Sequence, residues 1–217
     1  MPDLRYRFQT HDFGQHDIHV RTLRDRQQFS DGDGEAEKLE INSASWSHFG
    51  VVWSSSEVLA HLMADYDVAG KRVLELGCGI GLPSMVLNHR HADITASDYH
   101  PRAESFLRFN TTLNGEKNIP FFRADWKHDD CRMGRFDLLV GSDILYEQDH
   151  VEQVSGFIDR HARQVCEIIL VDPGRSQHAR FSKKMVSLGY SHSQSRPEST
   201  AFLENPYKGQ ILRYARG

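Results

Sequence analysis

A glycine-rich turn and an acidic residue that follows it form the most informative chemical pattern in this 217-residue sequence. The stretch ELGCGIG contains Gly77, Gly79 and Gly81, and Asp98 ends the stretch ITASD twenty-one residues after Gly77. Glycines let the backbone approach a ligand closely, where any Cβ would obstruct it. A carboxylate at the end of the next strand can accept hydrogen bonds from both hydroxyls of a ribose. The pattern therefore indicates a nucleotide-like cofactor, with NAD, ATP and S-adenosylmethionine as candidates.

Details of the turn separate these cofactors. The dinucleotide pattern G-x-G-x-x-G uses its third glycine for close helix packing, and Leu82 stands in that place here. Glu75 lies inside the preceding strand, where a carboxylate suits a cationic sulfonium better than a pyrophosphate. The sequence contains no G-x-x-x-x-G-K-[ST] pattern, which argues against a P-loop. S-adenosylmethionine is therefore favoured, and the alternative is that the glycines only form a tight strand-to-helix turn.

The elements that must position these residues alternate between strands and helices. From residue 71 onwards the strands are nearly continuous apolar runs, which is typical of a parallel sheet covered on both faces. We predict an α/β fold, a doubly wound, mostly parallel sheet that binds its ligand at the carboxyl ends of the strands. An N-terminal β-hairpin precedes it as an extension. The predicted strands are 4–9, 16–24, 72–77, 93–98, 119–125, 135–143, 167–173, 190–196 and 209–216, the predicted helices are 54–63, 83–88, 101–115, 149–163 and 181–188, and 30–37 is predicted to be a surface loop.

These motifs resemble those of the class I, seven-stranded S-adenosylmethionine-dependent methyltransferases over roughly residues 40–217, which leaves 1–39 as a separate extension. The resemblance implies a seven-stranded sheet whose last strand is antiparallel. It also implies that the methionine part of the cofactor lies over Gly77–Gly81 and that Asp98 holds the ribose. The remaining cofactor-binding residues that it implies are Trp53, Glu75, Tyr99, Asp125, Trp126 and Ser142, with Asp125 and Trp126 beside the adenine.

Three further stretches resemble the protein lysine methyltransferase branch of that class. FGVVWSSSEVLAHLM (49–63) is similar to the tryptophan-plus-helix segment that precedes the glycine turn, and GSDILYE (141–147) is similar to a D-x-x-[YF] motif. VDPGR (171–175) is similar to the strand ending of bacterial and mitochondrial members that methylate electron-transfer flavoprotein. The resemblance implies that Asp143 and Tyr146 are catalytic and that a protein is the methyl acceptor.

The chemistry of these residues suits an amine acceptor. Asp143 and Tyr146 are three residues apart, and on a helical turn both would face the same way. A lysine must become neutral before it attacks a methyl group, against a free pKa of about 10.4. Asp143 could orient the ammonium while an apolar channel, walled by Tyr146 and Trp53, favours the neutral amine. The alternatives are that Asp143 caps a helix and that both aromatic residues only pack.

Other functions remain open on the sequence alone. A small-molecule methyltransferase could use the same core, and an arginine acceptor is a further alternative. Base methyltransferases usually carry N-P-P-[YFW] where this chain has S-D-I-L-Y, so a nucleic acid is a weaker candidate. A non-catalytic, cofactor-binding subunit is the alternative from another class.

The composition of the chain bears on its partners, on metal and disulfide sites, and on its location in the cell. The formal net charge of −4 gives no general attraction to nucleic acid. Cys78, Cys131 and Cys166 lack C-x-x-C spacing, and the scattered histidines lack ligand spacing, so neither a disulfide framework nor a metal site is predicted. No run reaches the roughly 18–20 apolar residues of a membrane helix, and no signal-peptide core is evident. We therefore expect a cytoplasmic protein.

Overall fold

Two β-sheets organise the chain, whose computed structural model describes residues 4–25, 31–128 and 131–217. A two-stranded antiparallel sheet precedes a seven-stranded sheet with the strand order β5-β4-β3-β6-β7-β9-β8. The five strands from β5 to β7 are parallel, whereas β9 is antiparallel to both of its neighbours. The strands are β1 (Tyr6–Asp12), β2 (Asp17–Leu23), β3 (Arg72–Leu76), β4 (Asp93–Asp98), β5 (Phe121–Arg123), β6 (Phe136–Ser142), β7 (Ala162–Asp172), β8 (Ser191–Ser195) and β9 (Gln210–Arg216).

Helices cover both faces of the large sheet, which confirms the predicted doubly wound α/β architecture. Because successive side chains of a strand point to opposite faces, Val73 and Leu74 of β3 belong to different core clusters. Val73 packs with α2, α3 and α4, and Leu74 packs with α5 and α6. The helices are α1 (Glu35–Lys38), α2 (Ser54–Asp65), α3 (Leu82–His89), α4 (Ala103–Leu113), α5 (His150–His161) and α6 (His178–Ser187).

Several predicted boundaries differ from the structure by two or more residues; the helix predicted for 149–163, for example, ends at His161. Two of the differences have a clear physical reason. Within the loop predicted for 30–37, Ser30 lies outside the described residues, and Glu35 begins the short helix α1, which buries Ala36 completely. A single buried residue in a polar stretch gives no periodic signal. Strand β7 begins at Ala162, five residues before the predicted start, and its next three residues are exposed. Their lack of burial hides them from a strand prediction that depends on apolar runs.

The predicted N-terminal hairpin is confirmed, and it contacts α4 through both side chains and main-chain atoms. The Arg21 guanidinium lies over the Phe109 ring, 3.5 Å from its centroid. The amide group of Asn114 accepts the N–H of His19 at 2.8 Å and donates to its carbonyl oxygen at 2.7 Å. Asn110 binds the N–H and carbonyl of Arg21 in the same way, at 2.8 and 3.2 Å. The outer edge of β2 is therefore occupied by side-chain amides. The domain boundary at residue 40 stays a prediction.

Membrane-spanning helices and clusters of metal-binding side chains are both absent from the described residues. Among their helices, none is both long and apolar enough to cross a bilayer. No group of three or more His, Cys, Asp or Glu within the described ranges could hold a metal ion. Cys78 and Cys166 are free and buried, and the side chain of Cys131 lies outside the described part of the chain.

Candidate active site

A cavity of about 730 Å³ lies where the carboxyl ends of β3, β4 and β6 meet. This volume is within the range of sites that hold small molecules. Of the predicted site residues, Glu75 and Gly81 lie outside its wall. The predicted residues that line it are Trp53, Gly77, Gly79, Asp98, Tyr99, Asp125, Trp126, Ser142, Asp143 and Tyr146. The parallel sheet thus brings residues from five separate stretches of sequence to one place.

Asp98 is held at the centre of this wall by backbone donors. Its Oδ2 accepts the N–H of Gly79 at 2.8 Å, and its Oδ1 accepts the N–H of His100 at 2.8 Å. Burial raises the pKa of the Asp98 carboxyl, and these backbone donors oppose the shift. The N–H of Tyr99 is a third backbone donor near this carboxylate. Because a carboxylate has about four lone-pair sites, Asp98 retains capacity to accept a hydrogen bond from a ligand in the cavity.

The glycine turn gives the cavity its close backbone contacts. Gly79 has a φ of 53°, and a Cβ at this position would lie 3.3 Å from the carbonyl oxygen of Phe49. Any side chain there would be strained and would also press on the segment that crosses above the turn. The sequence predicted the close approach, but its partner in the protein is the backbone before α2.

Glu75 and Gly81 organise the start of α3 behind the cavity. Glu75 is buried and accepts hydrogen bonds from the N–H of Ser84, at 2.9 Å, and from its hydroxyl. Burial raises the pKa of Glu75 to about 8, and the hydrogen bonds from Ser84 partly offset this effect. Gly81 has a φ of 77°, and a Cβ there would overlap Cδ1 of Leu107. The structure places both residues in packing and capping contacts, and their predicted part in cofactor binding stays a prediction.

Aromatic rings line the side of the cavity next to β5. The Trp126 ring meets His150 edge-on with centroids 5.2 Å apart. Asp125 accepts the N–H of Lys127 at 3.0 Å and lies 3.0 Å from Nδ1 of His128. This side therefore combines a flat apolar ring with a fixed carboxylate, as an adenine ring and its amino group require.

A segment between α1 and α2 lines the cavity, and the sequence predicted only its last part, residues 49–53, to belong to the site. The hydroxyl of Tyr99 donates to the carbonyl of Leu39 at 2.7 Å, which ties this segment to the end of β4. Further along, Phe49 stacks on His100 with centroids 4.0 Å apart and planes 14° from parallel. Burial lowers the pKa of His100 to about 4, so the ring is neutral in this stack at neutral pH. The segment has no helical or strand periodicity to reveal it, although its aromatic residues were a possible signal.

Asp143 forms a two-point ion pair that sequence reasoning missed. Arg175 Nε donates to Asp143 Oδ1 at 2.5 Å, and Nη2 donates to Oδ2 at 3.0 Å. The Asp143 side chain is 11% exposed, whereas Arg175 is 40% exposed and also lines the cavity. Asp143 and Arg175 follow adjacent parallel strands, and that adjacency was the available signal.

The predicted helical turn from Asp143 to Tyr146 is wrong. Asp143 has a left-handed φ of 54°, residues 144–146 are irregular, and α5 begins only at His150. The N–H of Asp143 donates to the carbonyl oxygen of Val171 on the neighbouring strand, at 2.9 Å. The left-handed φ of Asp143 is incompatible with a right-handed helical turn that starts there. Both side chains nevertheless line the same cavity.

Aromatic residues surround the Asp143 end of the cavity. Trp53 donates its ring N–H to the carbonyl of His48 at 3.0 Å. The His48 ring meets Trp53 and Tyr146 edge-on, with centroid distances of 5.2 and 6.1 Å. Burial raises the pKa of Tyr146 to about 12, so its hydroxyl stays protonated. The Arg175 guanidinium lies over the Tyr146 ring, 5.9 Å from its centroid. Asp143 thus lines the cavity together with aromatic rings, one of which already contacts a cation.

Solved structures of known proteins match the fold. The 16S rRNA N2 G1207 methyltransferase of Thermus thermophilus aligns with a TM-score of 0.66 and 15% identity, covering 100% of this chain and 52% of that one. Magnesium protoporphyrin IX methyltransferase from Synechocystis, solved with bound S-adenosylmethionine, aligns with a TM-score of 0.57 and 23% identity, covering 88% and 89% of the two chains. The seven-stranded sheet with its antiparallel β9 is therefore the Rossmann-like fold of class I methyltransferases.

The sequence defines the family within that class. Residues 35–187 match the lysine methyltransferase family, and the chain belongs to it. The electron transfer flavoprotein beta subunit lysine methyltransferase of Rattus norvegicus is 27% identical over 155 residues, which are 67% of this chain and 58% of that protein. Protein N-lysine methyltransferase METTL21A of Danio rerio is 34% identical over 118 residues, 49% and 54% of the two chains. The chain thus spans little more than half the length of these relatives.

Proposed function

We propose that the protein transfers a methyl group from S-adenosylmethionine to a lysine side chain of another protein. The observation that carries this proposal is that one cavity joins the glycine turn and Asp98 to Asp143 and its aromatic neighbours. The first group suits a cofactor with a ribose, and the second suits an amine. Membership of the lysine methyltransferase family supports the same acceptor.

The residues present fit the cofactor. Asp98 retains hydrogen-bond acceptor capacity for the ribose hydroxyls, and Gly77 and Gly79, which both line the cavity, offer backbone without side chains to the methionine part. Trp126 and Asp125 would hold the adenine. When bound, the cofactor supplies an electrophilic methyl group: the amine lone pair forms the N–CH₃ bond, the C–S bond breaks, and its electron pair stays on sulfur.

The residues at the Asp143 end would bind and align the acceptor. Asp143 can accept an N–H hydrogen bond from the amine, which aims the nitrogen lone pair into the cavity. Tyr146 and Trp53 flank the lysine side chain and exclude water, which favours the neutral amine. The proton leaves to solvent water. Alignment of the two reactants supplies most of the rate acceleration.

The test uses S-adenosylmethionine with a labelled methyl group. Purified protein is incubated with it and with a lysate of the source cell, and protein, small-molecule and nucleic-acid fractions are then separated. We expect label on a protein band and on a lysine within it. The beta subunit of electron-transfer flavoprotein is the first purified acceptor to add, because the relative from Rattus norvegicus is named for it.

Matched variants make this test specific. Asp143→Ala should abolish labelling while calorimetry shows nearly unchanged cofactor affinity. Asp159→Ala removes an aspartate from another ion pair, with Arg216 at 2.5 Å, and should label like the wild type. Label only in the small-molecule or nucleic-acid fraction would contradict a protein acceptor. A cytoplasmic location remains part of the proposal and is tested by fractionating the source cell.

A further inference from the structure

The ion pair between Asp143 and Arg175 changes what the acceptor end of the cavity can bind. Both carboxylate oxygens of Asp143 accept hydrogen bonds from the guanidinium, at 2.5 and 3.0 Å. Both residues line the cavity, so the pair presents almost no net charge to an acceptor. A lone Asp143 would attract an ammonium ion strongly, whereas the paired one retains only its remaining lone pairs as hydrogen-bond acceptors.

The backbone N–H groups of both members of this pair are held by hydrogen bonds. Asp143 is held in its left-handed conformation by the bond from its N–H to the carbonyl of Val171. On the next strand, Asp172 Oδ1 accepts the N–H groups of Gly174, at 2.8 Å, and of Arg175, at 2.7 Å. Such strained and over-determined backbone is typical of functional sites. The pair is therefore part of the architecture of β6 and β7.

We propose that Arg175 is a positioning residue that neutralises Asp143, so that the acceptor end selects the neutral amine over the ammonium ion. This inference rests on the proposed function. A guanidinium next to the acceptor disfavours a second positive charge there. The incoming ammonium therefore loses its proton to water as it binds, and the neutral nitrogen donates one N–H to a remaining lone pair of Asp143. Its own lone pair is then free to form the N–CH₃ bond while the C–S bond breaks.

Other titratable groups near the pair do not mask this effect at alkaline pH. They are Tyr146 and Glu147 after β6, Asp172 at the end of β7, His178 on α6 and Tyr207 before β9. Burial raises the pKa values of Tyr146 and Tyr207 to about 12. Carboxyl and imidazole groups ordinarily titrate below pH 8. Lys38 and Lys127 also line the cavity, but they are the same in the wild type and in an Arg175 variant. A difference between these two proteins that changes from pH 8 to 10 therefore reports on the amine.

The first experiment measures binding and needs no identified acceptor protein. The probe is n-butylamine, which has the carbon chain of a lysine side chain, titrated by NMR at pH 7.5 in the presence of S-adenosylhomocysteine. Arg175→Gln exposes the charge of Asp143 and should bind the butylammonium ion at least about tenfold more tightly than the wild type. Arg175→Lys keeps the positive charge and should resemble the wild type. Unchanged or weaker binding by Arg175→Gln would overturn the proposal.

The second experiment measures transfer at saturating concentrations of the protein that the labelling test identifies. Loss of one positive charge about 5 Å from the amine raises its pKa by about two units at an effective dielectric constant of about 20. The kcat of Arg175→Gln should therefore fall about 100-fold at pH 7.5 and recover to within about threefold of the wild type at pH 10. If Arg175 only supports the fold, the kcat of Arg175→Gln should fall equally at both pH values. If Arg175 only blocks access of the amine to Asp143, the kcat should not fall. Either result would refute the proposal.

Controls distinguish failure of the proposed role of Arg175 from a folding defect and from failure of the proposed function. Arg163→Gln breaks a comparable ion pair with Asp137, 2.9 Å long, at the amino ends of β6 and β7, and it should not change the pH profile of kcat. Cofactor affinity by calorimetry shows that each variant is folded. If the wild type labels no protein at either pH, the proposed function fails, and the butylamine titration still decides whether Arg175 controls the charge of this site.

Discussion

Replacing Glu75 by glutamine should stabilise the protein, and by more as the pH rises. In the unfolded chain a glutamate ionises above its ordinary pKa of 4.5, whereas burial raises the pKa of Glu75 to about 8 in the folded protein. The folded state therefore retains a proton that the unfolded state releases, and the free energy of unfolding falls from about pH 4.5 to about pH 8. Each pH unit within this window lowers the free energy of unfolding of the wild type by about 1.4 kcal/mol. The free energy of unfolding of Glu75→Gln should therefore exceed that of the wild type by about 2 to 3 kcal/mol more at pH 7.5 than at pH 5.5.

Urea unfolding of both proteins at those two pH values measures the gain. Glutamine can replace the protonated acid because its carbonyl oxygen accepts the same two hydrogen bonds from Ser84. Glu104→Gln makes the same chemical change at a half-exposed position on α4 and serves as the control. A difference between Glu75→Gln and the wild type that stays constant from pH 5.5 to 7.5 would refute the account of Glu75 as a buried, protonated acid.

Further substitutions test the site and its supports. Asp98→Ala should raise the Kd for S-adenosylmethionine at least about tenfold, because charge-assisted hydrogen bonds contribute about 1.5–3 kcal/mol each. An unchanged Kd in calorimetry would contradict the assignment of Asp98 to the ribose. Gly81→Ala should lower the free energy of unfolding by about 1–3 kcal/mol, since it forces a left-handed backbone and a clash with Leu107; a wild-type denaturation midpoint would argue against this contact. Tyr207→Phe removes the 2.7 Å hydrogen bond to Ser55 and should cost about 1 kcal/mol in urea unfolding, and no loss would mean that water replaces the hydroxyl.

Most of the fold was predictable because burial gives a periodic signal. The apolar runs of β3, β4 and β6 and the spacing of the helices predicted the doubly wound sheet, whose seven strands and last antiparallel strand agree with the resemblance. Local boundaries were less predictable. The exposed start of β7 and the short helix α1 carry too few buried residues to be distinguished from loops.

The site was predictable where one stretch of sequence carries it, and not where two distant stretches meet. The glycine turn and Asp98 lie in one strand-helix-strand unit, so their spacing predicted their shared cavity. The pairing of Asp143 with Arg175 depends on β6 and β7 being neighbours in the sheet. Its geometry also depends on a left-handed residue that propensity does not predict. The part of the segment between α1 and α2 that precedes residue 49 was not predicted, because it has only short local turns and is placed on the cavity by tertiary contacts such as the one from Tyr99 to Leu39.

The hydrogen bonds that attach the hairpin to α4 do not depend on which side chains the hairpin carries at the bonded positions. Asn110 and Asn114 bind only main-chain atoms of His19 and Arg21 in these four hydrogen bonds. A main chain offers the same groups whatever side chains it carries, so the bonds place no demand on residue type at positions 19 and 21. The outward surface of the extension can therefore diverge between relatives, or be redesigned, while the two asparagines keep it in register on the methyltransferase core.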